Sequence, residues 1–338
     1  MPILLLTLLL AIGTPRHDPA DASSTQLRPA FYAAVYINKG SIAVGSLSGI
    51  GLFRRYEGDT VWTNIRPNTI TPGVGFASFG GRHQLYLAGG NGLHRSTDGG
   101  STWRILTGWR TKEVLSVALD PVDSLRLYIS TPFGVYRSTD GGGTWVEKMK
   151  GFKTWYVRRV ILDRVDRTVL YATGVDALYR STDGAESWEQ LSVGVPEIKW
   201  VLQHPVDPNL LLVGTEDHGV RYSPDRGTTW KQAAGLNASA VYSLASTPDG
   251  KELYAAGFQT GVWRSTDMGA SWTQVWTASG LDAIYTVFVN PRNPDHLMVG
   301  INGSGVFESF DHARSWRYTG LPTAVVRQIE MYPYPTTR

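Results

Sequence analysis

Three carboxylates and one basic-aromatic set are the residues with chemistry to offer. Asp176, Glu216 and Asp217 fall in short, turn-like segments. Two carboxylates from neighbouring loops suit glycoside cleavage, one as acid and one as base or nucleophile. Glu216 and Asp217 are adjacent, so on an extended chain they point apart. Asp176 with either of them is the pairing that geometry allows. The second set is Arg110, Trp155, Arg158, Arg159, Lys199, Trp200, Tyr242, Tyr285 and Arg327. Guanidinium groups pair with carboxylate or phosphate, and aromatic rings stack on apolar faces. Arg, Trp and Tyr also anchor protein interfaces. The plainer alternatives are that loop carboxylates only solubilise and that long basic side chains on strands reach for water. Other catalytic signatures are missing: there is no G-x-S-x-G elbow, no H-E-x-x-H, no Walker loop and no cysteine for zinc. No metal or cofactor is expected.

These residues sit at regular distances from a pattern that must position them. Ser96-Thr97-Asp98-Gly99-Gly100-Ser101-Thr102-Trp103 recurs in the frame Ser-x-Asp-x-Gly-x-x-Trp, with later copies ending at Trp145, Trp188, Trp230, Trp272 and Trp316. The aspartates Asp98, Asp140, Asp183, Asp225, Asp267 and Asp311 are 42, 43, 42, 42 and 44 residues apart. A fixed period in that range marks a repeat architecture. Each copy follows a short apolar run such as Gly134-Val135-Tyr136-Arg137, which predicts a strand ending at the serine. Asp-Gly and Gly-Gly predict a tight turn, the aspartate locks it through turn N–H groups, and the tryptophan packs back across it. Ala185 and Ala313 replace the second glycine in two copies, where looser turns are expected. Gly51 to Trp62 matches the frame with Glu57 in place of the aspartate, a degenerate first copy.

Each unit therefore reads as strand A, strand B, strand C, turn, strand D. The A strands run over 114–119, 157–162, 198–203, 241–246 and 284–289, several ending at a proline. The first strand, 31–37, is read as another of this type, followed by 41–45. The segment 325–331 is an eighth A-like strand for seven B–C–D sets, expected to seal the first blade. A truncated eighth blade is the rival reading. Aligning the A strands stacks Leu115 with Arg158, Lys199, Tyr242, Tyr285 and Arg327, and Ser116 with Arg159, Trp200, Ser243, Thr286 and Gln328. Arg110 and Trp155 lie just upstream in the loops between units.

The repeated frame is that of the Asp box, or BNR repeat. Over about residues 30–333 the chain resembles Asp-box β-propellers: sialidases, sortilin-type receptors, xyloglucan hydrolases and photosystem II assembly factors. The resemblance implies an all-β, seven-bladed propeller of four-stranded antiparallel blades. In these families the boxes lie away from the active face, so their aspartates and tryptophans are structural, and strand A lines a central channel. The sialidase pattern departs here: Asn64-Ile65-Arg66-Pro67 lacks the order of that family's arginine motif, and sialidases have six blades. Xyloglucan hydrolases need two tandem propellers, and this chain has room for one. The photosystem assembly factors match in length and blade count and carry an arginine-rich patch. The resemblance thus implies a non-enzymatic scaffold that binds a protein or glycan through the Arg/Trp/Tyr face; the alternative is a glycoside hydrolase of sialidase or xyloglucanase type.

The 338 residues suffice for one ring of seven units of about 42, without a second domain. Twelve tryptophans and 37 glycines match one anchor and several turns per unit. The absence of cysteine excludes disulfides and leaves the redox compartment open. A net charge of +3 and a pI near 9.0 are too weak for a nucleic-acid footprint, and none is expected as a partner. The apolar run from Ile3 to Leu10 is too short to span a bilayer. With Ala20-Asp21-Ala22 it reads as a signal peptide over 1–22, which implies export. Residues 23–29 read as a linker, 30–333 as a single monomeric propeller and 334–338 as a tail.

Overall fold

The computed structural model describes residues 28–38, 50–65, 73–79, 84–108, 111, 113–277 and 283–332. The signal-peptide, C-terminal tail and 41–45 strand readings lie outside them, as does Arg110. The described residues form seven four-stranded antiparallel sheets. Their innermost strands touch one another in sequence and close a ring. In blade 4 the order from the centre outward is Val157–Leu162, Leu170–Gly174, Leu178–Ser181 and Glu189–Leu191. Blades 2 to 7 all follow this A–B–C–D order.

Blade 1 is assembled from both ends of the chain. Its inner strand is Ala324–Tyr332, followed outward by Ala30–Asn38, Gly51–Tyr56 and Thr63–Asn64. The first strand therefore holds the B position, which corrects its reading as an A strand. The C-terminal strand supplies the missing A, and no eighth blade exists among the described residues. Ala30 pairs with Tyr332 and Phe31 with Met331, so the ring is sealed by ladder hydrogen bonds. This covers the sheet edges that an open ring would expose.

The core is divided into seven layers, one at each seam between neighbouring blades. Tyr128 of blade 3 packs with Leu170, Tyr179 and Ala185 of blade 4. Tyr254 of blade 6 packs with Val299 and Ala313 of blade 7, and the layer of Phe31, Phe53, Phe288 and Met298 joins blade 7 to blade 1. Strand B is covered on both faces, which is why Leu127–Thr131 and Leu211–Thr215 are buried at every position.

Each box is wired alike. The hydroxyl of Ser138 donates to Asp140 Oδ1 at 2.8 Å and accepts from the N–H of Gly142 at 2.8 Å. Asp140 Oδ1 accepts the N–H of Thr144 at 2.9 Å, and Oδ2 accepts its hydroxyl at 2.7 Å. The residue before the tryptophan is thus always a hydroxyl donor: Thr102, Thr144, Ser187, Thr229, Ser271 or Ser315. The frame Ser-x-Asp-x-Gly-x-x-Trp does not specify that position. The two alanine boxes are not looser. Ala185 and Ala313 keep the bond to the box serine at 2.9 and 3.0 Å by adopting φ of 71° and 67°, at the expense of backbone strain. Three of the tryptophans also reach further than their own turns. The indole N–H of Trp103, Trp145 and Trp188 donates to Ile65, Leu106 and Lys148 carbonyls of the preceding blade at 2.9, 3.0 and 3.0 Å. These three boxes are thereby wedges between blades, whereas the indoles of Trp230, Trp272 and Trp316 donate to Gly227, Gly269 and Ala313 carbonyls of their own turns.

Candidate functional site

The box turns gather on one face, and the starts of the A strands open on the other. There a cavity of about 420 Å³ occupies the channel mouth. The ring places Arg158, Arg159, Lys199, Trp200, Tyr242, Tyr285 and Arg327 in its wall, joined by Tyr36, Glu113, Tyr156 and Glu216. Trp155 does not line it; the side chain is 62% exposed. Asp176 also lies outside it. Its carboxylate accepts the hydroxyls of Tyr179 at 2.5 Å and Thr154 at 2.9 Å, which makes it a loop clamp. Asp217 is exposed and absent from the wall. The three carboxylates are thus separated, and only Glu216 faces the mouth.

Cations and rings are interleaved around the rim. Arg159 lies over Trp200 at 3.8 Å and Arg158 over Tyr156 at 5.1 Å. Arg327 lies over Tyr285 at 3.9 Å and Tyr36 at 5.3 Å. Tyr285 in turn stacks on Tyr242, with centroids 5.7 Å apart and an interplanar angle of 13°. A guanidinium over a ring face is held in place without being neutralised.

The carboxylates divide the cations into two groups. Glu197 accepts from Arg158 at 2.8 Å and Lys199 at 3.0 Å, and Lys199 also meets Glu216 at 2.5 Å. Burial works to raise the Glu197 carboxyl, but Lys199 and Arg158 outweigh it and hold the group below its ordinary range. Burial, with Glu216 beside it, pushes the Tyr242 phenol up to about 12, so its hydroxyl stays a donor, to Glu216 at 3.2 Å. Arg327 has ring contacts and no carboxylate among its contacts in the described residues. Its Nε–H is buried and lacks an acceptor.

Below the mouth the channel continues. Arg159, Trp200 and Gln328 border both the upper cavity and a second one of about 390 Å³ that continues toward the box face. At this level the ring presents small residues on the other blades. Gly75 lets the neighbouring inner strands approach: a Cβ there would lie 3.2 Å from the Leu115 carbonyl oxygen and 3.4 Å from Gln328 Oε1. The Ser116 and Ser243 hydroxyls turn away to accept from Val160 and Val287 N–H of other inner strands, at 3.0 and 3.1 Å.

The strand alignment found the A-strand residues of the mouth. It misses Tyr36, because strand 31–37 reads as an A strand and is a B strand, and it misses Glu113 and Glu197, each two residues before the aligned Leu115 and Lys199. The acidic residues at those offsets were the available signal. Among the described residues, no group of three or more His, Cys, Asp or Glu side chains is placed to hold a metal ion. No helix of the described residues is long and apolar enough to cross a membrane.

Comparison with known proteins gives partial matches. The family model described as "Sortilin, neurotensin receptor 3" matches residues 133–254. A xyloglucanase of Hypocrea jecorina is 31% identical over 126 residues, 32% of this chain and 14% of that protein. Among solved structures, the GH74 enzyme of Niastella koreensis superposes with a TM-score of 0.60 at 20% identity, over 72% of this chain and 44% of that one. The structure of YCF48 bound to D1 peptide superposes with a TM-score of 0.58 at 19% identity, over 74% of this chain and 83% of that one. The chain spans less than half the length of the GH74 enzyme, and both likenesses are of fold.

Proposed function

We propose that this chain, an Asp-box seven-bladed β-propeller by its repeats and its fold, is an exported, non-enzymatic scaffold whose channel mouth binds an anionic group on a protein or glycan partner. The observation that carries this reading is Arg327: a guanidinium in the cavity wall, fixed between Tyr285 and Tyr36, with no carboxylate among its contacts in the described residues. An incoming carboxylate or sulfate would pair with that guanidinium in a site of reduced water access, where a charge-assisted bond is strong. Arg158 and Lys199 are held by Glu197 and Glu216, so they shape the rim instead of competing for the ligand. The stacked rings give the ligand's apolar parts a surface. The N-terminal apolar run supports export.

Two acidic probes test this by calorimetric titration: a glutamate-rich pentapeptide and a galacturonate pentamer. Binding of at least one, weakening as salt rises and reduced tenfold or more in Arg327→Gln, is expected. Equal binding by Arg327→Gln, or no binding of either probe at low salt, defeats the proposal.

A hydrolase reading has one observation in its favour besides the xyloglucanase likeness. Glu113 and Glu216 both line the mouth, and glycoside cleavage uses two carboxylates roughly 5–10 Å apart. Glu216, however, is engaged by Lys199 and Tyr242. Turnover of a neutral glucan panel, lost in both Glu113→Gln and Glu216→Gln, would establish it in place of the scaffold.

A further inference from the structure

The seam between blades 7 and 1 departs from the repeat at four positions that meet in space. Arg55 stands where regular boxes have serine and Glu57 where they have aspartate. Glu308 stands where blades 2, 3, 4 and 6 have arginine, and Phe310 where the other boxes have threonine or proline. All four line a groove of about 610 Å³ on the box face, the side away from the channel mouth. Pairing of Arg55 with Glu308 at 2.7 Å serves ring closure. It gives no reason for Phe310 and Tyr318 in the same groove to be 48% and 49% exposed. Phe310 is fixed by His296, stacked at 4.3 Å, and by Arg317 at 4.8 Å, so the wall it forms is ordered.

The charges decide what the groove could hold. Every charged side chain of its wall is already paired: Arg55 and Arg317 with Glu308, Glu57 with Arg292 at 3.2 Å, and Asp59 with Arg28 at 2.6 Å. The wall therefore offers no unpaired charge to draw an ion. A neutral molecule with hydroxyl groups and an apolar ring face suits it. The groove volume lies within the usual range of ligand sites, about 300–1,000 Å³. Asn293 and Thr60 add amide and hydroxyl partners on its rim.

We infer that the blade 7–blade 1 groove is a second binding site, for a neutral pyranose unit of an oligosaccharide. It is independent of the anionic mouth. Calorimetric titration with cellohexaose, xylohexaose and mannohexaose tests it, with hexagalacturonate as the charged comparison. At least one neutral hexaose should bind saturably. Phe310→Thr, which restores the common box residue, and Tyr318→Ala should each weaken it tenfold or more. Both side chains are half exposed, so thermal melting should shift little. Arg327→Gln, at the mouth, should bind the neutral sugar as wild type does. The inference is overturned by no binding of any neutral hexaose, by unaltered binding in both seam variants, by loss in Arg327→Gln, or by preference for hexagalacturonate. Failure of the mouth proposal would show only in the acidic probes.

Discussion

A single serine hydroxyl organises each box turn, giving its proton to the aspartate and accepting the N–H four residues on, as Ser96 does with Asp98 at 2.7 Å and Gly100 at 2.8 Å. The aspartate is consequently a far stronger acid than usual. The hydroxyl and then the N–H of Thr102 lower Asp98 to about 2, and the same two groups of Thr144, N–H first, lower Asp140 to about 2. Asp225 and Asp311 follow, also at about 2. A carboxyl whose folded pKa lies below its unfolded value, near 3.8, stabilises the fold above that value and loses the contribution as pH falls toward 2. Urea midpoints should therefore be level between pH 7 and 5 and fall steeply from pH 4 to pH 2. Asp98→Asn should lower the neutral-pH midpoint and flatten the acid limb, whereas an unchanged acid limb would mean that the box carboxylates do not drive the transition. Ser138→Ala leaves Asp140 and the buried Gly142 N–H each short of a partner, so a loss of about 1–3 kcal/mol is expected in equilibrium unfolding.

At the scale of elements, the wedge role of the box makes its tryptophan matter to two blades at once. Trp188 is 5% exposed, packs in the layer joining blades 3 and 4, and donates to the Lys148 carbonyl. Trp188→Ala should cost about 3–5 kcal/mol, measured by urea unfolding; a cost below 1 kcal/mol would place the ring outside the core. The even spacing of these tryptophans made the blades legible from sequence, and the A-strand columns carried Arg158, Lys199, Tyr285 and Arg327 to one mouth. Blade 1 was less legible for a physical reason. Strands A and B are both short and largely apolar, so pattern alone does not say which of them Ala30–Asn38 is. Two-residue outer strands such as Val146–Glu147 leave no periodicity to read. The seam groove was invisible because its residues, Arg55 and Glu308, lie 253 positions apart.

The whole ring depends on one non-covalent closure. Arg55, 4% exposed, meets Glu308 at 2.7 Å, lies over Phe31 at 5.4 Å and Trp62 at 5.1 Å, and also bonds the Thr319 hydroxyl. Burial alone would raise the Glu308 carboxyl; hydrogen bonds from His296 and Arg55, and then Arg317, bring it down to about 2. A double-mutant cycle between Arg55→Met and Glu308→Met should report coupling of roughly 1–3 kcal/mol, and additive single effects would show that the pair contributes nothing beyond packing. Removing Ala324–Tyr332 withdraws the inner strand of blade 1 and should abolish cooperative unfolding altogether.

The pairing of Ala30 with Tyr332 puts the start of the first described strand beside the end of the last, on the face opposite the arginine-lined opening. The start of the sequence is also arbitrary with respect to the circle. Linking 332 to 30 and cutting between blades 4 and 5 should yield a rearranged gene product that still folds.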